Sequence, residues 1–288
     1  MDTFKNYIKL MRPHHYIKNF LIFIPLIFSK NIFNIGLLSK VLIGFIAFSL
    51  LASMVYVIND IMDVEADRKH EKKKFRPIAS GKISIKNAWI LVFVLFVLSL
   101  CLNIYAKANI ITWIIFYTYF VINILYSIKL KHIPIIDIVI LAFGFLLRVL
   151  YGATIANIEV SNWLYLTILS VSFYMGLGKR RGEFVKLGSK GRKVLKYYNK
   201  SFLDSNMYMF LTLTIVFYSL WCLDFNSAIN SYFNIIWTVP FLIVICMKYS
   251  LDIEGDSLGD PVDVVLSDKI LLVLGIIYTA IMFLTIYF

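Results

Sequence analysis

Apolar residues in this chain gather in long unbroken blocks instead of alternating or recurring on one helix face. Nine blocks stand out: 19–35, 41–61, 88–106, 109–128, 134–156, 162–179, 206–224, 233–250 and 269–288. Each approaches the roughly 20 residues that a helix needs to cross a bilayer. A spanning segment must satisfy its backbone polar groups internally, so each block predicts a helix. The first is the weakest, being short and carrying Pro25. Polar residues collect between the blocks, and the second and sixth blocks each run into a long basic loop. The pattern predicts an all-α polytopic membrane protein, nine transmembrane helices in one bundle, forming a single domain over 1–288.

Composition sharpens this picture. The chain is 60% hydrophobic with a mean hydropathy of +0.79, and 29 basic residues outnumber 17 acidic ones for a net charge of +12. Such a charge would suit nucleic acid if it were clustered on a soluble face. Here it alternates from loop to loop: roughly twenty-five of the basic residues fall on one side, as the positive-inside rule requires. This excludes a nucleic-acid partner, places the N-terminus in the cytoplasm and the C-terminus outside, and makes the inner (cytoplasmic) membrane the expected location. Cys101, Cys222 and Cys246 all lie inside apolar blocks, with neither disulfide nor metal spacing. No small-residue cleavage site follows the first block, so it is not read as a signal peptide.

The chemistry is concentrated where the second block ends, at Tyr56-Val57-Ile58-Asn59-Asp60-Ile61-Met62-Asp63-Val64-Glu65-Ala66-Asp67. Asn59, Asp63 and Asp67 are four residues apart and share one helix stripe, with Tyr56 beside it and Asp60 about a hundred degrees round. Like charges at that spacing repel, and the cost rises beside hydrocarbon. A divalent cation removes the conflict, and hard oxygen donors in small number suit Mg²⁺, which keeps waters and accepts substrate phosphates. The next stretch is basic, with Lys73, Lys74 and Arg76, and Pro77 fixes a turn by restricting Arg76. Acid followed by base suits a metal and the phosphate anions it bridges.

Two charges interrupt the fifth block. Asp137 and Arg148 lie about three turns apart on one face, about 16 Å by helix rise, so each needs another partner. His14, His15, His70 and His132 lack metal spacing and are read as interfacial. Asp252, Glu254, Asp256, Asp260 and Asp263 are read as a solvated loop, a lid or a partner for the basic loops.

The Asn59–Asp67 motif followed by Arg76-Pro77-Ile78-Ala79-Ser80-Gly81 resembles the first signature of the UbiA-type intramembrane prenyltransferase superfamily. That resemblance covers nearly the whole chain and implies an all-helical, Mg²⁺-binding transferase. Members usually carry a second Asp-rich motif after the sixth span. Here that loop reads Gly178-Lys179-Arg180-Arg181-Gly182-Glu183, with Glu183 its only acid before Asp204. This departure, with Arg12-Pro13-His14-His15-Tyr16-Ile17-Lys18-Asn19, Tyr126-Ser127 and Gly259-Asp260-Pro261-Val262-Asp263, resembles the decaprenyl-phosphate phosphoribosyltransferase branch.

The branch implies transfer of 5-phosphoribose from phosphoribosyl diphosphate (PRPP) to a polyprenyl phosphate in the membrane. The resemblance assigns Asn59, Asp63 and Asp67 to Mg²⁺ and groups Asp60 with them as catalytic. It assigns the substrates to Lys18, Tyr56, Lys73, Lys74, Arg76, Tyr126, Lys129, Lys131, Asp137, Arg148, Lys179 and Arg180, at a site facing the cytoplasm. A homo-oligomer is compatible with all of this. The competing readings are a prenyltransferase moving an isoprenyl chain from its diphosphate to an aromatic or other small acceptor, an anion transporter, and a non-catalytic membrane scaffold.

Overall fold

The computed structural model describes residues 2–188, 192–229, 234–255 and 259–288. Asp256, one of the acids singled out above, lies outside them. Among the described residues, twelve α-helices and several 3-10 turns account for the regular structure: α1 (Asp2–Met11), α2 (Ile24–Phe28), α3 (Ile35–Met62), α4 (Val64–Arg68), α5 (Ile85–Tyr105), α6 (Ile110–Ile128), α7 (Ile136–Ala156), α8 (Asn162–Leu187), α9 (Lys200–Ile229), α10 (Val239–Glu254), α11 (Pro261–Ser267) and α12 (Lys269–Tyr287). Their starts are written in the sequence. The side chains of Asn34, Ser84, Asn109, Ser161, Asp260 and Asp268 each accept a hydrogen bond from a backbone N–H in the first turn that follows. Such caps satisfy groups that a helix end leaves open.

Among the described residues, seven helical stretches are long and apolar enough to cross a membrane: Ile35–Met62, Ile85–Tyr105, Ile110–Ile128, Ile136–Ala156, Lys200–Asn226, Ile235–Glu254 and Lys269–Tyr287. They match seven of the nine expected spans. The first expected span is not one regular helix. Residues Pro13–Phe23 form a 3-10 helix, and α2 follows for only five residues. The sixth expected span lies within the 26 residues of α8, which falls short in apolarity. Ser, Thr, Tyr and Gly dilute its apolar stretch, and Lys179-Arg180-Arg181 close it.

Packing divides the chain into two compact units. Unit 1 comprises Met1–Leu130 with Leu147–Ile158, and unit 2 comprises Lys131–Leu146 with Glu159–Phe288. The single domain expected over 1–288 therefore contains two packing units, to which α7 contributes one half each. In unit 1, α3 packs against α1, α5, α6 and the Pro13–Phe23 segment. Its apolar stretch is 67% buried and that of α7 61%, against 17–22% for the other five. The outer helices thus keep their apolar faces for lipid, while α3 and α7 form protein core. Gly152 permits one close approach in this unit: a Cβ there would lie 1.9 Å from the Ile22 carbonyl oxygen. In unit 2, α8 packs chiefly on α9, around Tyr174, Leu177, Met207 and Ile253.

Candidate active site

The acidic stripe sits where α3 gives way to α4. Asp63 is the junction residue, with φ −92° and ψ 7°. Hydrogen bonds from Asp63 N to Asn59 O (2.9 Å) and Asp67 N to Asp63 O (2.8 Å) carry the helical register across it. The four-residue spacing of Asn59, Asp63 and Asp67 therefore survives a local distortion. Asn59 and Asp63 are half-buried, whereas Asp60 and Asp67 are buried.

The basic loop returns onto this helix end. Lys73–Phe75 form a 3-10 turn, and Arg76 leaves it extended, at φ −65° and ψ 147°, as the following proline dictates. Pro77 and Ile78 are buried beneath the loop. One guanidinium nitrogen of Arg76, Nη1, then donates to Asp60 Oδ1 at 3.0 Å and to Asp67 Oδ2 at 2.6 Å. The two buried carboxylates, two turns apart, converge on one cationic point.

A second arginine completes the cluster. Arg12 Nη2 donates to Asp60 Oδ1 at 2.6 Å. The guanidinium also lies 5.2 Å from the centre of the Tyr56 ring. Arg12 adopts a left-handed backbone, φ 54° and ψ 57°, which costs a non-glycine residue on the order of 1 kcal/mol and tends to persist where function demands it. The segment is held there by Ser53, whose Oγ donates to the Met11 carbonyl at 2.7 Å and lies 2.7 Å from the Tyr16 hydroxyl.

Sequence reasoning quoted Arg12 only within a longer stretch and gave it no role. Nothing in local spacing connects residue 12 to residue 60.

The donor chemistry here fits a hard divalent ion. Carboxylate and carboxamide oxygens are gathered at one helix end, and a cationic group already bridges two of them. Among the described residues no three His, Cys, Asp or Glu side chains form a metal cage. An ion held here would complete its shell with water and substrate oxygens, as Mg²⁺ commonly does.

The other expected site residues are distributed over both units. In unit 1, Lys18, Tyr56 and Tyr126 are half-buried, and Lys73, Lys74 and Lys129 are exposed. The Lys74 ammonium lies 5.3 Å from the Phe75 ring centre. Arg148 is buried inside the unit. Its Nε donates to Asn19 Oδ1 at 2.7 Å, its Nη2 donates to the Tyr119 hydroxyl at 3.0 Å, and the Phe48 and Tyr119 rings flank it.

In unit 2, Lys131 is half-buried. Asp137 and Arg180 are each 0% exposed and pair at 2.5 Å. Arg180 also donates to Glu183 at 2.8 Å, one helical turn on. The Tyr198 hydroxyl donates to Asp137 at 2.5 Å. Burial first, and then the Asp137 carboxylate beside it, hold the Tyr198 phenol above its ordinary range, so it stays the donor. Asp137 and Arg148 thus find separate partners, as their spacing required. In this structure the Arg180 guanidinium is closed inside protein rather than offered to a phosphate.

The acids near the C-terminus act as partners for the basic residues of unit 2. Asp260 takes Lys179 at 2.7 Å, Glu254 takes Arg181 at 3.3 Å, and Asp252 pairs with Lys248. Gly259, at φ +78°, lets this turn dock, since a Cβ there would meet the Gly178 carbonyl at 2.6 Å.

The chain resembles known proteins in sequence and in fold. The profile of the UbiA prenyltransferase family matches residues 21–254. Decaprenyl-phosphate phosphoribosyltransferase of Corynebacterium glutamicum is 35% identical over 276 residues, spanning 93% of this chain and 83% of that protein. The protein of the same name from Mycolicibacterium smegmatis is 33% identical over 296 residues, spanning 98% and 92%. A UbiA homologue from Archaeoglobus fulgidus, solved bound to GPP and Mg²⁺, matches the fold with a TM-score of 0.72 at 20% identity, covering 98% of this chain and 100% of that one. With a family profile spanning most of its length and relatives of 33–35% identity over nearly all of it, the chain belongs to the UbiA prenyltransferase family.

Proposed function

We propose that this protein transfers 5-phosphoribose from PRPP to a polyprenyl phosphate of the decaprenyl type, releasing diphosphate. The observation that carries the reading is the likeness, over 93–98% of the chain, to two proteins named decaprenyl-phosphate phosphoribosyltransferase. The chain's own residues favour it too. A donor with a diphosphate and a 5-phosphate, and an acceptor with a further phosphate, call for many cations, and the loop after α8 is basic where a second acidic motif would bind more metal.

In this reading Asn59, Asp63 and Asp67 hold the Mg²⁺ of the donor complex, with Asp60 supporting them. The ion, when bound, supplies charge neutralisation for the departing diphosphate. Arg76, Lys73 and Lys74 grip the diphosphate oxygens, Arg76 by the surface it keeps exposed while its carboxylate contacts stay in place. Tyr56 borders the same helix end. Lys18, Tyr126 and Lys129 in unit 1, and Lys131 and Lys179 in unit 2, are proposed to bind the remaining phosphates, while the buried Asp137–Arg180 pair holds the fold around them. Arg148 is proposed to act by fixing the Asn19 segment.

The bond between ribose C1 and the diphosphate oxygen breaks with its electron pair leaving on diphosphate. An oxygen of the lipid phosphate forms the new bond from the opposite face, with inversion. No general base is needed, because a phosphate monoester is already anionic at neutral pH. The chain contributes positioning and charge. We further propose nine membrane crossings, with the Pro13–Phe28 segment and α8 completing the seven apolar helices. The N-terminus and the site face the cytoplasm, and the protein resides in the inner membrane.

The test is a paired assay on purified protein. Radiolabelled PRPP with polyprenyl phosphate should give a labelled lipid, and prenyl diphosphate with aromatic acceptors should give none. The reverse outcome would assign ordinary prenyl transfer.

A further inference from the structure

We infer that α1 is a membrane-surface element whose exposed side binds anionic phospholipid, with Lys5 and Lys9 on the headgroups and Phe4 and Ile8 at the boundary with the acyl chains. Along α1 (Asp2–Met11), Phe4 and Ile8 stand four residues apart and share one stripe. Lys5 and Lys9 share the next, about a hundred degrees round, and Leu10 lies on the remaining side. The fold uses these sides differently. Leu10 is fully buried, and α1 packs on α3. Phe4 is 70% and Ile8 41% exposed, and both lysines are exposed. A single exposed apolar residue needs no explanation. Two on one stripe, bordered by two cations, make the pattern of a helix that lies in a lipid–water interface.

The level at which α1 is held fits that partner. α3 has 28 residues, about 42 Å of helix, against about 30 Å of bilayer hydrocarbon, so it reaches into the headgroup layer. Its polar end carries Asn59, Asp60 and Asp63, and α1 is tied near that end. Ser53 Oγ donates to the Met11 carbonyl at 2.7 Å, and the next residue, Arg12, reaches Asp60. Lys5 and Lys9 are the only charges of α1 after Asp2, and they favour an anionic surface over a neutral one. A second copy docked symmetrically on this side would bring the same two lysines face to face, cation against cation.

Lipid bound along α1 would also steady the turn that follows. Arg12 N donates to the Ile8 carbonyl at 3.2 Å, so the exposed stripe is hydrogen-bonded to the residue that meets Asp60. Such a contact is independent of the reaction the protein carries out.

The test is hydrogen–deuterium exchange of the full-length protein in nanodiscs of phosphatidylcholine alone or of phosphatidylcholine mixed with phosphatidylglycerol, at low ionic strength. The α1 amides should exchange at least about fivefold more slowly in the anionic discs, the scale of one lysine at an anionic surface. Lys5→Gln/Lys9→Gln should abolish that difference, and Lys5→Arg/Lys9→Arg should retain it. Both side chains are exposed, so the thermal unfolding midpoint should not move in either variant. Phe4→Ser should speed exchange of α1 in both kinds of disc.

Equal exchange of the wild type in both lipids, a lipid difference that survives the glutamine variant, or unchanged exchange in Phe4→Ser would overturn the inference. Protection that follows the number of protein copies per disc instead of the lipid charge would give this side of α1 to a second copy, and would overturn it as well.

Discussion

Each packing unit contains a cluster in which arginine meets aspartate, and the two clusters differ in access to water. In unit 1, Arg12 and Arg76 reach the buried Asp60 with side chains that remain 19% and 24% exposed, beside a cavity. In unit 2, Arg180 and Asp137 are both 0% exposed, and Glu183 and Tyr198 add further hydrogen bonds to them. In the first cluster each arginine keeps exposed surface on which a phosphate can land while its carboxylate contacts stay in place. The second offers no such surface, and any exchange would strand a buried charge. The same ionic chemistry therefore gives a cluster open to water in one place and a closed structural tie in the other.

The strongest test of this contrast is to remove one side of the closed pair. Arg180→Met leaves Asp137 buried with its charge uncompensated and should cost about 3–5 kcal/mol of stability, read as a large drop in the thermal unfolding midpoint. The double variant Asp137→Leu/Arg180→Met removes both charges and should recover most of that loss. No recovery would mean that the pair does more than hold the fold.

In the open cluster the expected effects are on turnover. Asp63→Ala should lower kcat by about 10²–10³-fold, the scale of losing one group that stabilises charge in a transition state, with the unfolding midpoint unchanged. Near-normal turnover in this variant would remove Asp63 from the metal site.

Gly152→Ala probes how the open cluster is held. Its Cβ would press on the Ile22 carbonyl, and overpacking of this kind costs about 1–3 kcal/mol. Because Ile22 belongs to the segment that begins at Arg12, the variant should lose both stability and phosphate-donor affinity.

The smallest effect belongs to the start of α12. Asp268 caps Leu271 N and binds Lys248, and that lysine contact, followed by the backbone hydrogen bond, holds its carboxyl below the usual carboxylate range. A depressed folded value contributes stability above the unfolded value of about 3.9 and loses it as pH falls further. Wild type should therefore lose slightly more stability than Asp268→Asn on acidification through that range, in a melting series.

Much of this was legible in the residues themselves. The apolar blocks gave seven membrane helices, and Asn34, Ser84, Asn109 and Ser161 stand where helices begin. Asn59 to Asp67 followed by Arg76-Pro77 marked the helix end where Arg76 meets Asp60 and Asp67, and the acids near the C-terminus were read as a solvated loop, with a lid or partnership to the basic loops as further options. What escaped was set by tertiary contacts. Arg12 meets Asp60 across 48 residues, and no periodicity reports that. Arg180 looks like a phosphate ligand in a basic run, and only packing around Asp137 and Tyr198 shows it closed. Glu183, three residues on, was the available hint. The first block read as a span because its residues are apolar, yet its backbone follows a 3-10 path through Pro13–Phe23 before a short α2.

The most direct measurement is mass spectrometry of the lipid formed when purified protein is given PRPP, polyprenyl phosphate and Mg²⁺. The expected product is heavier than the acceptor by one 5-phosphoribosyl group, formed by wild type and all but absent with Asp63→Ala. An unchanged lipid with the wild-type protein, or the same product from both proteins, would contradict it.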